Sequence, residues 1–404
     1  MKPQHSNTPS LHHSVPIPMN TITPLPPPAI SPPPATVRLF ATAKSWIEGE
    51  AVRQLYATAQ LDGMRQGVGF PDLHPGKGSP VGAAFVTEDM IYPHLIGGDI
   101  GCGMALFKTD LVRRDAKLDR WSQLRFDLEH PWNEFIDDFL AEQALKSTPF
   151  DAALGTIGGG NHFAELQAIE EVVDAHVFRQ LGVTKQQLVV LVHSGSRGLG
   201  EVTLRAHVDR YCGKGVAADS PDAEDYLCGH DFAVRWAKAN RVLIARRFVA
   251  ALGAEAECLW DGCHNNITRR EGESGTVWLH RKGAVAAEAA FVVIPGSRGS
   301  LSYVVKPTGD GASHAWSLAH GAGRKWSRSD ARQRMRERFS VPQLAQTALG
   351  GRVVCEERDL LYEEAPAAYK NIEAVITDLV DAGLVSVIAT LRPLLTYKTR
   401  KQKR

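Results

Sequence analysis

Along this chain the apolar residues gather in short, nearly unbroken runs bounded by glycine-rich turns. Residues 81–86, 103–107, 187–192 and 290–294 have this form and predict buried strands. Helices are predicted over 131–144, 232–252, 324–339 and 369–382, the second with apolar residues at helical spacing. Strands alternating with helices argue for an α/β or α+β domain, central β-sheets flanked by helices. No internal repeat and no second linker divides the chain, so one folded domain spans 37–404.

The first 36 residues depart from this pattern. They are rich in proline, serine and threonine, and the Pro26–Pro28 and Pro32–Pro34 runs supply no helix or ladder donors. They are expected to form a disordered tail, or to precede a true start at Met19. With 44% hydrophobic and 23% charged residues, the 404-residue chain buries an ordinary core.

A formal charge of +1 means that any polyanion meets a local patch, not a global field. Arg113–Arg114, Arg246–Arg247, Arg269–Arg270 and the Arg332, Arg334, Arg336, Arg338 series are the candidate patches; each reads equally as a solvated helix face. Six scattered cysteines without a C-x-x-C pair suit a reducing compartment. No apolar run approaches the roughly 20 residues of a membrane span, so the expectation is a soluble, cytoplasmic monomer.

The chemistry lies in the glycine-rich turns. GGDIGCGM (97–104), GGGNHF (158–163), VHSGSRG (192–198) and GCHNN (262–266) each hold a metal-type ligand: Asp99 with Cys102, His162, His193 and His264. One carboxylate, one thiolate and several imidazoles suit borderline divalent metals such as Mn²⁺ or Zn²⁺. His193 ends a predicted strand, where sites in α/β folds gather. His264 follows the predicted long helix, and its neighbour Cys263 is an alternative ligand. His74 in PDLHPGKG positions a loop or a bound strand. His130, His176, His207, His230, His280 and His314 lack glycine framing and read as structural.

Glycine-flanked serines and basic residues suggest anion nests at Ser194, Ser196 and Arg197, at Arg281 and Lys282, at 295–299, and at Arg324. Residues 75–78 fail the P-loop test, because glycine follows the lysine. His320 in HGAGR reads either as a nucleophile toward a phosphate, as a fifth ligand, or as a hydrogen-bonding residue.

Taken in order, PDLHPGKG, GGDIGCGM, GTIGGGNHF, VHSGSRGLG, RKGAV, IPGSRG, HGAGR, APAAYKNI and LRPLLTYK resemble the motifs of the RtcB family of RNA-splicing ligases, over roughly 40–398. The resemblance implies an RtcB-like fold with a dinuclear metal site. It also implies a 3′-phosphate/5′-hydroxyl RNA ligase that uses GTP and Mn²⁺ to join 2′,3′-cyclic phosphate or 3′-phosphate ends to 5′-hydroxyl ends, in RNA repair or tRNA splicing. By motif, Asp99, Cys102, His162, His193 and His264 would bind two Mn²⁺ ions with Cys102 bridging, and His320 would be guanylylated. Guanylate recognition would fall to Asn161, Glu165, Ser297, Ser302, Tyr369 and Lys398, with Arg324 beside them.

Three positions depart from the family pattern. Gly98 replaces a usual valine, Gly159 a threonine and Arg298 a methionine, which marks a divergent subgroup. An alternative is a metal-dependent phosphoesterase that opens cyclic phosphates without sealing, which needs neither His320 nor a guanine pocket. A non-catalytic RNA-binding module is disfavoured by near-neutral charge and 7% aromatic residues.

Overall fold

The computed structural model describes residues 34–400, apart from 43, 133, 273 and 274. The expected proline-rich tail lies, up to residue 33, outside the described residues. Two sheets dominate. The larger has eight strands in the order Val292–Ile294, Ser302–Pro307, Val385–Thr399, Phe163–Val172, Gln187–Ser194, Gly103–Val112, Ala256–Cys263, with Arg352–Cys355 also paired to Val385–Thr399. The smaller has five: Thr36–Leu39, Met64–His74, Val81–Thr87, Gly275–Lys282 and Asn265–Gly272. Pairing is antiparallel except where Thr36–Leu39 meets Met64–His74 and Arg352–Cys355 meets Val385–Thr399. The mixed helix-and-sheet class is as the sequence predicts.

Alternation along the strands explains the layers, since successive side chains point to opposite faces of a sheet. Met104, Leu106, Val189 and Leu191 face the smaller sheet and pack with its Val68, Phe70, Ala84 and Val86. Their neighbours Ala105, Phe107, Val190 and Val192 point the other way, into a layer with Ile244, Ala245 and Phe248 of the long helix Pro221–Ala250. The strand runs look uniformly apolar because both faces are covered.

Several element boundaries differ from the sequence reading, each for a local reason. The long helix starts at Pro221, not 232, because Ser220 accepts from the Ala223 N–H and Pro221 fits the first turn. The 131–144 prediction shrinks to Ile136–Glu142, preceded by Phe135 in a left-handed conformation. The 324–339 helix begins at Arg328, capped by Ser327, and the 369–382 helix at Ile372, capped by Asn371. Strand 103–107 extends to Val112, and 290–294 shortens to Val292–Ile294. His264 follows the strand Ala256–Cys263, not the helix. Among the described residues, no helix is long and apolar enough to cross a membrane.

Candidate active site

Strand register gathers the glycine-framed residues at one end of the larger sheet. His193 lies opposite Met104 on one side and Phe163 on the other, while Gly103 lies opposite Cys263. Cys102 and His162 therefore precede the two strands that flank the strand of His193, and His264 sits where the chain leaves the larger sheet for the smaller. Four ligand-type side chains thus come from neighbouring strand ends without any being close in sequence.

The Cys102 Sγ lies 3.2 Å from His193 Nε2 and 3.5 Å from His162 Nε2. One ligand atom from each of these three buried residues falls within 4.8 Å of the others. His162 Nδ1 donates to the Ile157 carbonyl at 3.0 Å, which leaves Nε2 facing Cys102 and Asp99 Oδ2, the latter at 3.0 Å. The ring of His264 stands 5.2 Å from that of His193 and 4.8 Å from that of His320. Cys263 turns away and meets the guanidinium of Arg241.

This donor set fits a divalent cation. Burial, reinforced by Asp99, holds the Cys102 thiol well above its ordinary pKa. Burial and neighbouring imidazoles hold His193 and His264 well below theirs, so both rings are neutral and present lone pairs. Asp99 is opposed by burial, yet the hydrogen bond and charge of His162 bring its carboxyl below the usual range; its buried Oδ1 has no hydrogen-bond partner. A cation among these atoms would satisfy lone pairs that the protein leaves unpaired, and would draw off the thiol proton.

Two backbone features make room. A Cβ at Gly195 would stand 2.1 Å from Asp99 Oδ1, so the carboxylate rests against bare backbone. At Gly158, φ is +83° and a Cβ would strike the guanidinium of Arg197, which lies beneath it. Arg197 itself has φ +58°, strain of about 1–3 kcal/mol of the kind that collects at functional sites.

The cluster opens into a cavity of about 230 Å³ whose walls include His193, His320, Asn161, Glu165, Ser297, Arg324, Tyr369 and Lys398. His74 also lines it. Ser302 does not; it lies behind the wall, accepting from Gln167 and from the Gly296 N–H. Burial raises the Glu165 carboxyl to about 6, against the hydrogen bonds of Thr396 and Gln167. Burial lowers Lys398, with Glu364 opposing. Arg324 donates to Glu364 at 3.0 Å and lies over the Tyr369 ring, whose hydroxyl also donates to Glu364.

Residues that the motifs alone do not single out complete the arrangement. Asp72, fully buried, accepts from both the backbone N–H of His320 (3.1 Å) and its Nδ1 (2.6 Å). The sequence singles out His74 in that motif because nothing local reveals a contact 248 residues away. Glu364 and Thr396 are likewise joined to the site only by folding. Arg241, fully buried, grips Asp261 with two hydrogen bonds of 2.7 Å and donates to the carbonyls of Gly101 and Ser194, beside Cys102 and His193. Arg281 leaves the expected anion nest, because its guanidinium is bound to Ser317, Thr268 and the Trp316 carbonyl.

The departures also find places. Glu201 fills the space that a side chain at Gly98 would need, and a Cβ at Gly159 would meet nothing. Arg298 is buried and donates to the Leu361 carbonyl.

A thiol–imidazole–carboxylate cluster able to hold a divalent cation thus lies beside a charged cavity, with a carboxylate-held histidine in the cavity wall. The sequence profile described as tRNA-splicing ligase RtcB matches residues 54–148 and 136–399. The chain is 43% identical over 365 residues to RNA-splicing ligase RtcB2 of Escherichia coli, covering 90% of this chain and 96% of that one. It is 26% identical to RNA-splicing ligase RtcB homolog 1 of Entamoeba dispar, covering 86% of this chain and 81% of that protein. The chain belongs to the RtcB family.

Proposed function

We propose that this protein is a GTP- and Mn²⁺-dependent RNA ligase that joins 2′,3′-cyclic phosphate or 3′-phosphate ends to 5′-hydroxyl ends through a guanylylated His320. The observation that carries this reading is that His320, in the wall of the cavity, pairs through Nδ1 with Asp72 buried behind it. A carboxylate that accepts the Nδ1 proton leaves the Nε2 lone pair free and stabilises positive charge as the ring attacks.

In this reading, His320 Nε2 attacks the α-phosphorus of GTP. The N–P bond forms as the bond to the β-phosphate oxygen breaks, and pyrophosphate leaves. A 2′,3′-cyclic phosphate end is first opened by water, which breaks the bond to the 2′-oxygen and leaves a 2′-hydroxyl and a 3′-phosphate; an oxygen of the RNA 3′-phosphate then displaces His320, and the 5′-hydroxyl displaces GMP to close the phosphodiester. Asp99, Cys102, His162, His193 and His264 would hold Mn²⁺, which when bound offsets charge on phosphate oxygens. Ionised Glu165 would accept from guanine N1–H and N2–H, Tyr369 would stack on the base, and Lys398 would donate to an acceptor. Asn161, Arg324 and Ser297 line the same cavity, and Ser302 supports it from behind.

The test is incubation with α-labelled GTP and Mn²⁺ followed by denaturing electrophoresis. Label should be retained by the parent and lost in His320→Ala. Absence of label in both, with metal occupancy confirmed, would overturn the ligase reading in favour of a phosphoesterase.

A further inference from the structure

Most of the arginine clusters are taken up by carboxylates. Arg246 pairs with Glu142, Arg269 with Glu271, Arg270 with Glu288, and Arg332 and Arg336 with Asp359. Four cations gather in one groove. A groove of about 630 Å³ shares Ser297 and Tyr369 with the candidate nucleotide cavity, and its lining includes Lys44, Lys325, Arg338, Lys370, Trp46 and Trp326 but no aspartate or glutamate. Arg338 and Lys325 form no ion pair among the described residues, although the chain as a whole is nearly neutral.

Its aromatic component is accessible. Trp46 is 50% exposed, and Trp326 carries Lys325 and Arg334 at 5.4 and 5.0 Å from its ring. The first turn of the helix Ile372–Asp381 forms another part of the wall. Lys370 ties the groove to the candidate nucleophile, since its Nζ donates to the carbonyls of Pro71 and Leu73 on either side of Asp72.

Cations without carboxylates select a polyanion, and an exposed indole selects one with flat, unstacked rings. Single-stranded nucleic acid has both properties, whereas an acidic peptide lacks the rings and a duplex keeps its bases stacked on each other. We propose that this groove is the track for the single-stranded RNA segment next to the end that enters the cavity, with Trp46 stacking on a base and Lys44, Lys325 and Arg338 meeting phosphates. The proposal rests on the RNA-ligase reading for the identity of the strand.

The test uses the full chain and a fluorescein-labelled single-stranded RNA of about 12 nucleotides, a length suited to such grooves, followed by anisotropy across a salt series. Trp46→Ala should weaken binding roughly tenfold and Trp46→Phe should restore most of it, as expected for base stacking. Lys44→Ala/Arg338→Ala should weaken binding and flatten the slope of log affinity against log salt by about 1.4, at roughly 0.7 per lost phosphate contact. GTP labelling of all three variants should match the parent. Variants that bind with the parent's affinity and slope overturn the proposal, as does a parent that binds polyglutamate or a blunt duplex as tightly as the single strand. If the parent takes no label from GTP while the strand still binds in a Trp46-dependent way, the ligase mechanism fails and the groove stands.

Discussion

Replacing Asp72 by asparagine isolates the role of one charge. The carboxylate is fully buried and gives one oxygen to two donors of His320, its backbone N–H and its Nδ1. Asparagine keeps the shape and can still accept both bonds, but it is neutral. A hydrogen bond to a charged group contributes about 1.5–3 kcal/mol and one between neutral groups about 1, so the substitution removes about 0.5–2 kcal/mol. That loss falls mainly on the step in which the imidazole gains positive charge. At 1.36 kcal/mol per tenfold, His320 should be guanylylated roughly 2- to 30-fold more slowly. The KM for GTP should stay close to the parent's, because Asp72 is not among the cavity-lining residues. The assay is the time course of labelling from α-labelled GTP at saturating Mn²⁺, on a variant whose melting curve matches the parent's. Labelling at the parent's rate would refute the argument that Asp72 sets the tautomer and stabilises the charged ring.

Further outcomes are expected at four other residues. Glu165→Gln should raise the KM for GTP about 10- to 100-fold, as follows from losing a charged acceptor. In the parent, the same KM should rise as pH falls through about 6, where burial places the Glu165 carboxyl; a flat profile would count against that role. Cys102→Ser should reduce the metal bound after dialysis, read by elemental analysis, with little change in the melting temperature of the metal-free protein. Arg241→Met leaves the partly buried Asp261 unpaired and frees the carbonyls of Gly101 and Ser194, so it should destabilise the protein by about 3 kcal/mol in urea unfolding, the lower end for a broken buried pair. His280 is buried, and burial holds its pKa at about 3 against the ordinary 6.5. Between these values the unfolded chain binds the extra proton, so stability should fall as pH drops below 6.5, by about 1.4 kcal/mol per pH unit. His280→Gln should make that slope shallower by about one proton.

Much of this molecule is legible in one dimension because its local rules are strong. Buried strands read as apolar runs, whereas the helices begin where Ser220, Ser327 and Asn371 cap them, starts that apolar spacing alone does not mark. The glycine-framed Asp99, Cys102, His162, His193 and His264 stand out because a ligand against bare backbone needs glycine beside it, as Gly195 provides for Asp99. The first turn of the long helix, from Pro221, is polar, so apolar spacing does not reach its start.

What folding alone decided is which distant groups meet. Asp72 pairs with His320 because the smaller sheet and the Ser317–Ala319 strand bring both to the cavity. Arg241 locks the turns under Cys102 and His193 because the long helix packs across the larger sheet. Arg281, which reads as an anion binder, became a structural residue once its strand was buried. Residue type and local spacing determine what a side chain can do. Sheet register and packing determine which partner it does it with, since a partner's distance in space is not written in its distance along the chain.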